Sequence, residues 1–543
     1  MLSRFNPFVL VLGLAVLAGS GVVPAAQAQG VGQGAATAIA PRLEFSVPEM
    51  ELARTVAAWP GVAAFYGENG LQPVFGGSGG QALRAALISA VEAAHEHGLP
   101  SGRYQLQRLR SVNPDSIEGE ALFARIAARY LRDVTSGAID PARADGQIHR
   151  EVIRASIAGQ LRALVASPDP AAFLRAQGPK DPRYLALQAA LAARTGLLAP
   201  ADAPPAPKGL WRLGMRDPAI PDLRARLASI GFVADLPADP SEYDPALAEA
   251  VLNFQQASGL PADGVAGPNT IGRLNGGADF QTRAILVAME RMRWMHGHDL
   301  NARHVWVNIP EFTARIYDGG RQVFQTRAVV GKTDHDMRTP EFSDQMEYVV
   351  VNPRWNVPRS ITVREYLPRL QRNRYAVSHL DIVDGRGNVV SRDRIDFGRY
   401  NAGNFPYRMR QKPSGDNALG LVKFIFPNPW NIYLHDTPTK HLFRQSSRAY
   451  SHGCIRIGDP FDLAYALLSQ QTDNPQAKFQ RALASGKEQW LALKPNLPVH
   501  LVYFTAMAEP DGQIRFYKDI YGRDARVWEA LSKAGLELAG QSD

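Results

Sequence analysis

Cys454 is the only cysteine in 543 residues, and it stands in Ser451-His452-Gly453-Cys454-Ile455-Arg456. Histidines lie two and nineteen positions before it: His452, and His435 in Tyr433-Leu434-His435-Asp436-Thr437-Pro438. The thiolate is the attacking form of cysteine, and a nearby imidazole is the common means of producing one near neutral pH. A glycine just before the thiol permits a tight turn that exposes the next side chain. Two histidines, one thiol and a glycine-bearing turn are the parts of a thiol acyl-transfer site. One imidazole would take the thiol proton and later return it to a leaving amine. The N–H groups around Gly453 and Cys454 are natural donors to the oxyanion of a tetrahedral intermediate. Spacing alone leaves either histidine as the base. A metal centre is a poor fit, because the chain has no His-Glu-x-x-His and no second cysteine.

The elements that must hold these groups are mostly strands. A strand ending at His435 puts Tyr433 and His435 on one face and sends Ile432 and Leu434 into a core. Period-two patterns at His304 to Ile309, Phe312 to Tyr317, Gln322 to Val330, Glu347 to Asn352, Leu421 to Phe426 and Val499 to Thr505 predict further strands, with Gly319-Gly320 as a hairpin turn. Helices are expected at Pro460 to Gln470 and Asp524 to Ala534. Residues 359–412 interrupt the strands with 12 Lys/Arg against 5 Asp/Glu, an excess of 7 where the whole chain carries +8. A long insertion beside a site reads as a lid.

Upstream the period changes. Helical stripes occur at Leu83, Leu87, Val91 and Ala94, at Leu122, Ile126, Tyr130 and Val134, at Val152, Ile153, Ile157, Leu161 and Leu164, and at Tyr184, Leu187 and Leu191. Residues 50–198 are therefore an all-helical domain with no chemistry of its own. A Pro-rich linker follows at 199–209. Residues 210–276 form a small helical unit with turn glycines, and 279–300 contain a connecting helix. The catalytic domain spans 301–507, and 508–543 hold a C-terminal strand and helix. At the other end Arg4, the apolar run Phe8 to Ala18 and Ala26-Gln27-Ala28 read as a cleavable export signal over 1–28, followed by a flexible lead-in at 29–49. Export implies an oxidising compartment, where a lone cysteine is either inert and buried or reactive. A 45% hydrophobic, 21% charged chain is ordinary and globular, and no motif for reading nucleic acid appears.

Within 210–276, Phe254-Gln255, Gly259-Leu260, Asp263-Gly264, Gly267, Thr270 and Leu274-Asn275 resemble a peptidoglycan-binding repeat. The region around His435 and Ser451 to Arg456, with Val329-Val330-Gly331-Lys332, Thr339-Pro340, Asn352-Pro353-Arg354-Trp355 and Asn417-Ala418-Leu419-Gly420, resembles the L,D-transpeptidase family. The helical domain, the small module and the basic insertion are similar to that family's large periplasmic subgroup. The implied architecture is multidomain α+β: a helical scaffold, a three-helix peptidoglycan-binding-like domain, and a mostly β L,D-transpeptidase domain with an inserted lid.

The resemblance implies Cys454 as nucleophile and His435 as base, oriented by the backbone carbonyl of Asp436. His452, Gly453 and Tyr433 would line the site and help the oxyanion. Arg456, Ser451, Arg354, Trp355 and Trp430 would face substrate, although core packing also suits each tryptophan and Arg456 could instead hold the turn. The implied reaction passes a tetrapeptide stem through a thioester to a diaminopimelate amine, forming a 3→3 cross-link in the periplasm. No cofactor or metal is required, carbapenems should acylate the same thiol, and peptidoglycan is the partner. Water as acceptor would make the protein an L,D-carboxypeptidase or endopeptidase, and a lipoprotein lysine would make it an anchoring enzyme. A non-enzymatic wall-binding protein is the alternative from outside the enzyme class.

Overall fold

The helical stripes of the N-terminal half pack around one another in the computed structural model, which describes residues 44–195, 205–258, 260–275, 280–509 and 512–536. Leu83, Leu87 and Val91 line Gln81–Glu92, and Leu122, Ile126, Tyr130 and Val134 line Ile117–Ser136. The second helix starts where the Ser116 side chain accepts from Gly119 N, and it stops at Gly137, φ +94°. Tyr184, Leu187 and Leu191 of Pro182–Thr195 are buried in the same core. So are Leu286, Met289 and Trp294 of Phe280–Trp294, and Val527 and Leu531 of Arg523–Lys533. The connecting helix and the C-terminal helix are thus inner members of the helical layer. The Pro-rich linker, the export signal and most of the lead-in lie largely or wholly outside the described residues.

One stripe needs correction. The helix begins at Ile157, capped by Ser156, and Val152 and Ile153 precede it; Ile153 is 51% exposed. The chain before it is drawn out against the catalytic domain. Ile148 bridges Glu341 in parallel, with Glu341 N donating to Gln147 O at 3.0 Å and His149 N donating to Glu341 O at 2.8 Å.

The small module has helices Ile220–Ala228, Pro245–Ser258 and Pro268–Leu274 around Leu223, Leu227, Leu247, Val251, Phe254 and Leu274. Its motif residues hold their own loop. Buried Gln255 donates to Asp263 Oδ1 at 2.9 Å and accepts from Gly264 N at 2.9 Å.

The catalytic domain opens with β1 (His304–Asn308), β2 (Thr313–Asp318), β3 (Arg321–Gly331) and β4 (Phe342–Val351). The insertion supplies β5 (Trp355–Asn356), β6 (Leu380–Val383) and β7 (Arg408–Gln411). Then come β8 (Val422–Ile425), β9 (Leu434–His435), β10 (Ala449–Ser451), β11 (Ile455–Ile457) and β12 (Gln489–Val502). A hairpin of β13 (Ala506–Ala508) and β14 (Ile514–Phe516) leads to the last helix; β14 lies where a C-terminal strand was expected, and its partner β13 was not in the sequence reading. The main sheet runs β10-β3-β11-β9-β8-β4-β12-β1-β2, and β2 also pairs with β3, so it closes on itself.

Val305, Val307, Val349, Phe424, Leu434 and Ile455 fill its interior. All of β1 is buried instead of alternating, because the helical layer covers its outer face: Trp306 belongs to the helical core while its neighbours face the barrel. Helix Pro475–Ala484, which the sequence reading did not contain, seals the barrel with Phe479. The insertion is a three-stranded sheet, β5-β7-β6, with its own core of Trp355, Leu367, Leu370, Ile382 and Met409. No helix among the described residues is long and apolar enough to cross a membrane.

Candidate active site

Strand register assembles the chemistry. β9 and β11 run parallel with Leu434 opposite Ile455 and His435 opposite Arg456. One step back, Ile455 N donates to Tyr433 O at 3.1 Å, which brings Tyr433 beside Cys454. Leu434 and Ile455 point into the barrel core, so Tyr433, His435, Cys454 and Arg456 share the other face. Ile432 and Leu434 enter the core on the side opposite the imidazole, and the Tyr433 and His435 rings meet edge-on at 5.7 Å. Only Leu434 and His435 are strand. Asn431 is left-handed, φ +54°, because the Asn428 side chain accepts from Trp430 N and Ile432 N and bends the chain there.

The turn before the thiol is tightly held. Gly453 has φ +108°, a conformation L side chains avoid. Ser451 Oγ donates to Cys454 O at 2.5 Å and accepts from Gly453 N at 3.2 Å. Thr339 Oγ1 donates to Gly453 O at 2.7 Å. The Gly453 N–H is therefore engaged, contrary to its expected place in the oxyanion hole. Cys454 N makes no hydrogen bond among the described residues and is the donor left for a developing oxyanion.

His435 Nδ1 lies 2.5 Å from Asp436 O. A carbonyl only accepts, so Nδ1 carries the hydrogen and Nε2 presents its lone pair. The Asp436 carboxylate has other work, taking Leu421 N at 2.9 Å, Thr437 N at 2.7 Å and Lys440 Nζ at 2.6 Å. A Cβ on Gly420, φ +59°, would lie 2.3 Å from that carboxyl group, so glycine is required there.

Burial, then the Arg456 charge, with Lys423 and Lys440 behind it, drives the His435 pKa down to about 3. Lys423 is the β8 partner of His435 and Arg456 its β11 partner, so the imidazole stands between two cations across three strands. Burial pushes the Cys454 thiol up to about 11, against the hydrogen bonds from Tyr433 and the charges of Arg456 and Lys423. The same neighbourhood raises the Tyr433 phenol, burial first and then the sulfur. The resting pair is thus neutral thiol and neutral imidazole. The thiol itself rests on Asn431 O at 3.6 Å.

The remaining candidates divide. His452 turns away from the thiol to the lid, where its Nε2 lies 2.6 Å from Glu365 Oε1. Arg456 donates to Thr439 Oγ1 at 2.9 Å, bracing the chain after His435, and its buried Nε has no partner among the described residues. Trp355 is buried in the lid core and its side chain bonds the Tyr433 hydroxyl. Arg354 is exposed, with its N–H on Glu488. Trp430 is not gathered into the site. Its ring stacks on His149 at 4.3 Å and meets Phe342 at a tilt, 4.7 Å between centroids. The sequence reading missed Lys423, Glu365, Asn431 and, as a side chain with a task, Thr339; only the last stood in a quoted motif. Two lid cations are committed to the lid itself: Arg392 donates to the carbonyls of Arg374, Ala376, Val377 and Leu380, and Arg359 to those of Tyr407 and Ala402.

The Glu365–His452 contact ties the lid to the turn, and the Arg364–Asp336 pair ties it to the loop before Thr339. Both Glu365 and His452 are partly exposed, so Glu365→Ala should change stability by no more than about 1 kcal/mol. It should nonetheless raise the alkylation rate of Cys454 several-fold by freeing the lid. Stopped-flow labelling with iodoacetamide checks this, and an unchanged rate would show that the contact does not hold the lid.

Comparison with known proteins places names beside this geometry. Residues 302–473 match the model of the L,D-transpeptidase catalytic domain, 60–191 that of a scaffold domain, and 216–274 that of a "putative peptidoglycan binding domain". A Haemophilus influenzae protein named "putative L,D-transpeptidase" is 36% identical over 237 residues, 42% of this chain and 47% of that protein. The chain thus spans about half the length of the curated relative it matches. A solved L,D-transpeptidase structure from Xylanimonas cellulosilytica is 16% identical and covers 55% of this chain and 100% of its own, at a TM-score of 0.15, too low to inform the fold.

Proposed function

We propose, from a catalytic domain that belongs to the L,D-transpeptidase family, that this protein cross-links peptidoglycan in the periplasm, joining diaminopimelate residues 3→3 through a thioester on Cys454. The observation that carries the reading is the register of β9 on β11. It sets one thiol, one imidazole of fixed tautomer and one phenol on a single face of the strand pair.

The donor carbonyl enters beside Cys454. His435 Nε2 takes the thiol proton as sulfur attacks the carbonyl carbon of the L-centre of diaminopimelate. A low imidazole pKa keeps Nε2 unprotonated at neutral pH, and the proton moves only as the C–S bond forms. Arg456 and Lys423 stabilise the negative charge that passes from sulfur to the oxyanion, and Cys454 N–H donates to that oxygen. Collapse of the intermediate expels D-alanine, which takes the proton back from His435. The side-chain amine of a second stem then attacks the thioester carbon and His435 accepts its proton; collapse breaks the C–S bond, and the leaving sulfur takes that proton back from His435. The lid, anchored by Trp355 on Tyr433 and by Glu365 on His452, excludes water and favours the amine acceptor. Carbapenems would acylate the same sulfur. The 216–274 module would hold the enzyme on the wall.

Product analysis on diaminopimelate-containing tetrapeptides tests this. Dimers linked 3→3, made by the wild type and not by Cys454→Ala, are expected. Monomers shortened by D-alanine alone would make the protein an L,D-carboxypeptidase, and unchanged tetrapeptide would remove the enzymatic reading.

A further inference from the structure

We propose that the scaffold segment 145–150 positions the nucleophile, acting through Thr339 on one side of the Cys454 turn and through Trp430 on the other. The inference rests on the reading of Cys454 as nucleophile.

The first arm is a chain of hydrogen bonds among buried groups. On the segment, Gln147 Oε1 accepts from Arg523 Nη2 at 3.0 Å, and the same nitrogen donates to Thr339 O at 2.8 Å. Arg523 is fully buried and also faces Glu341, the residue whose backbone pairs with Ile148. Thr339, itself 0% exposed, accepts from Gly331 N at 2.9 Å and donates to Gly453 O at 2.7 Å. Gly453 has no side chain with which to fix its peptide, and its φ of +108° lies where glycine is permissive. The orientation of the 453–454 peptide, and hence of the Cys454 N–H, is set by what holds the Gly453 carbonyl. That holder is the Thr339 hydroxyl.

The second arm is a stack. The His149 ring lies on the Trp430 indole at 4.3 Å. The next residue, Asn431, is left-handed and offers the carbonyl on which the thiol rests at 3.6 Å. The same six-residue segment therefore reaches both the peptide that precedes the sulfur and the oxygen that accepts the thiol's hydrogen bond. The helical domain, read from sequence as carrying no chemistry, becomes part of what aims the nucleophile.

The test uses the full chain with Thr339→Val, which keeps the shape and deletes the hydroxyl, Thr339→Ser, which restores it, and His149→Ala. Thr339→Val should lower kcat by about tenfold to a hundredfold, with KM within a few-fold, as expected for a misaimed nucleophile. Thr339→Ser should return most of the rate. His149→Ala and Thr339→Val should each change the iodoacetamide rate of Cys454 several-fold, with near-ultraviolet circular dichroism reporting retained packing. A Thr339→Val enzyme with wild-type kcat and alkylation rate, or a serine variant as impaired as valine, would overturn the proposal. Should Thr339→Val fail to fold, an unchanged alkylation rate in His149→Ala would do the same. Because alkylation needs no wall substrate, altered labelling in a protein that makes no cross-link would sink the proposed function and leave the positioning role standing.

Discussion

Cys454→Ala should abolish cross-linking, and Cys454→Ser should reduce it by roughly four orders of magnitude or more. Removing a nucleophile from a covalent mechanism typically costs 10⁴ to 10⁶ in turnover, of order. Serine keeps the shape but not the acidity. Its hydroxyl lies much further above neutral pH than the thiol, which burial already lifts to about 11, and an imidazole whose own pKa is held near 3 is too weak a base to bridge that gap. The fold should barely respond, since the thiol donates only a long hydrogen bond, to Asn431 O at 3.6 Å, and the side chain is half-buried. Purified proteins, compared by mass spectrometry of the products and by melting temperature, give both readouts. A serine variant retaining more than about 1% of the rate would mean that the thiol is not the attacking group.

His435→Asn should lower kcat by about a thousandfold, the scale of a positioned general base. Its pH behaviour is as informative as its rate. Burial, followed by the charges of Arg456, Lys423 and Lys440, depresses the folded pKa to about 3, so the native ring refuses a proton that the unfolded ring accepts at about 6.5. Between those values the unfolded state binds more protons, and stability therefore falls as pH falls. His435 contributes stability that is present above about pH 6.5 and lost on acidification toward pH 3. His435→Asn should melt with a shallower acid dependence across that window than the wild type. For the same reason the wild-type rate should show no break at 6.5, and alkylation of the resting thiol should keep climbing above pH 8. A wild-type break near 6.5, absent in the variant, would place the imidazole in an open, solvated site and contradict the buried pair.

Much of this was legible in the chain. Period two from Tyr433 to His435 is enough to put ring and phenol on one face, since Leu434 between them has only the core to enter. The helical stripes around Leu122 to Val134 became a helix because Ser116 and Gly137 mark its ends locally. Local marks also misled. Val152 and Ile153 continue a helical stripe, yet their segment is pulled straight by pairing with Glu341, nearly two hundred residues away. For Trp430 the chain left substrate contact and packing both open, and which partner its ring stacks on, His149, came only from the fold.

Residue types and short spacings alone singled out one sulfur, next to a flexible glycine and near two histidines in the chain, as the candidate nucleophile of the proposed reaction, because those properties belong to the side chains and the turn. Tertiary structure decided everything that depends on strangers in sequence. Arg456 comes beside His435 by strand register, Lys423 flanks it from β8, Glu365 reaches back to His452 from the lid, and Thr339 holds the Gly453 carbonyl. Charge state follows from burial and from neighbouring charge, and both are set by which strands adjoin, so no reading of the motif could tell that the resting pair is neutral.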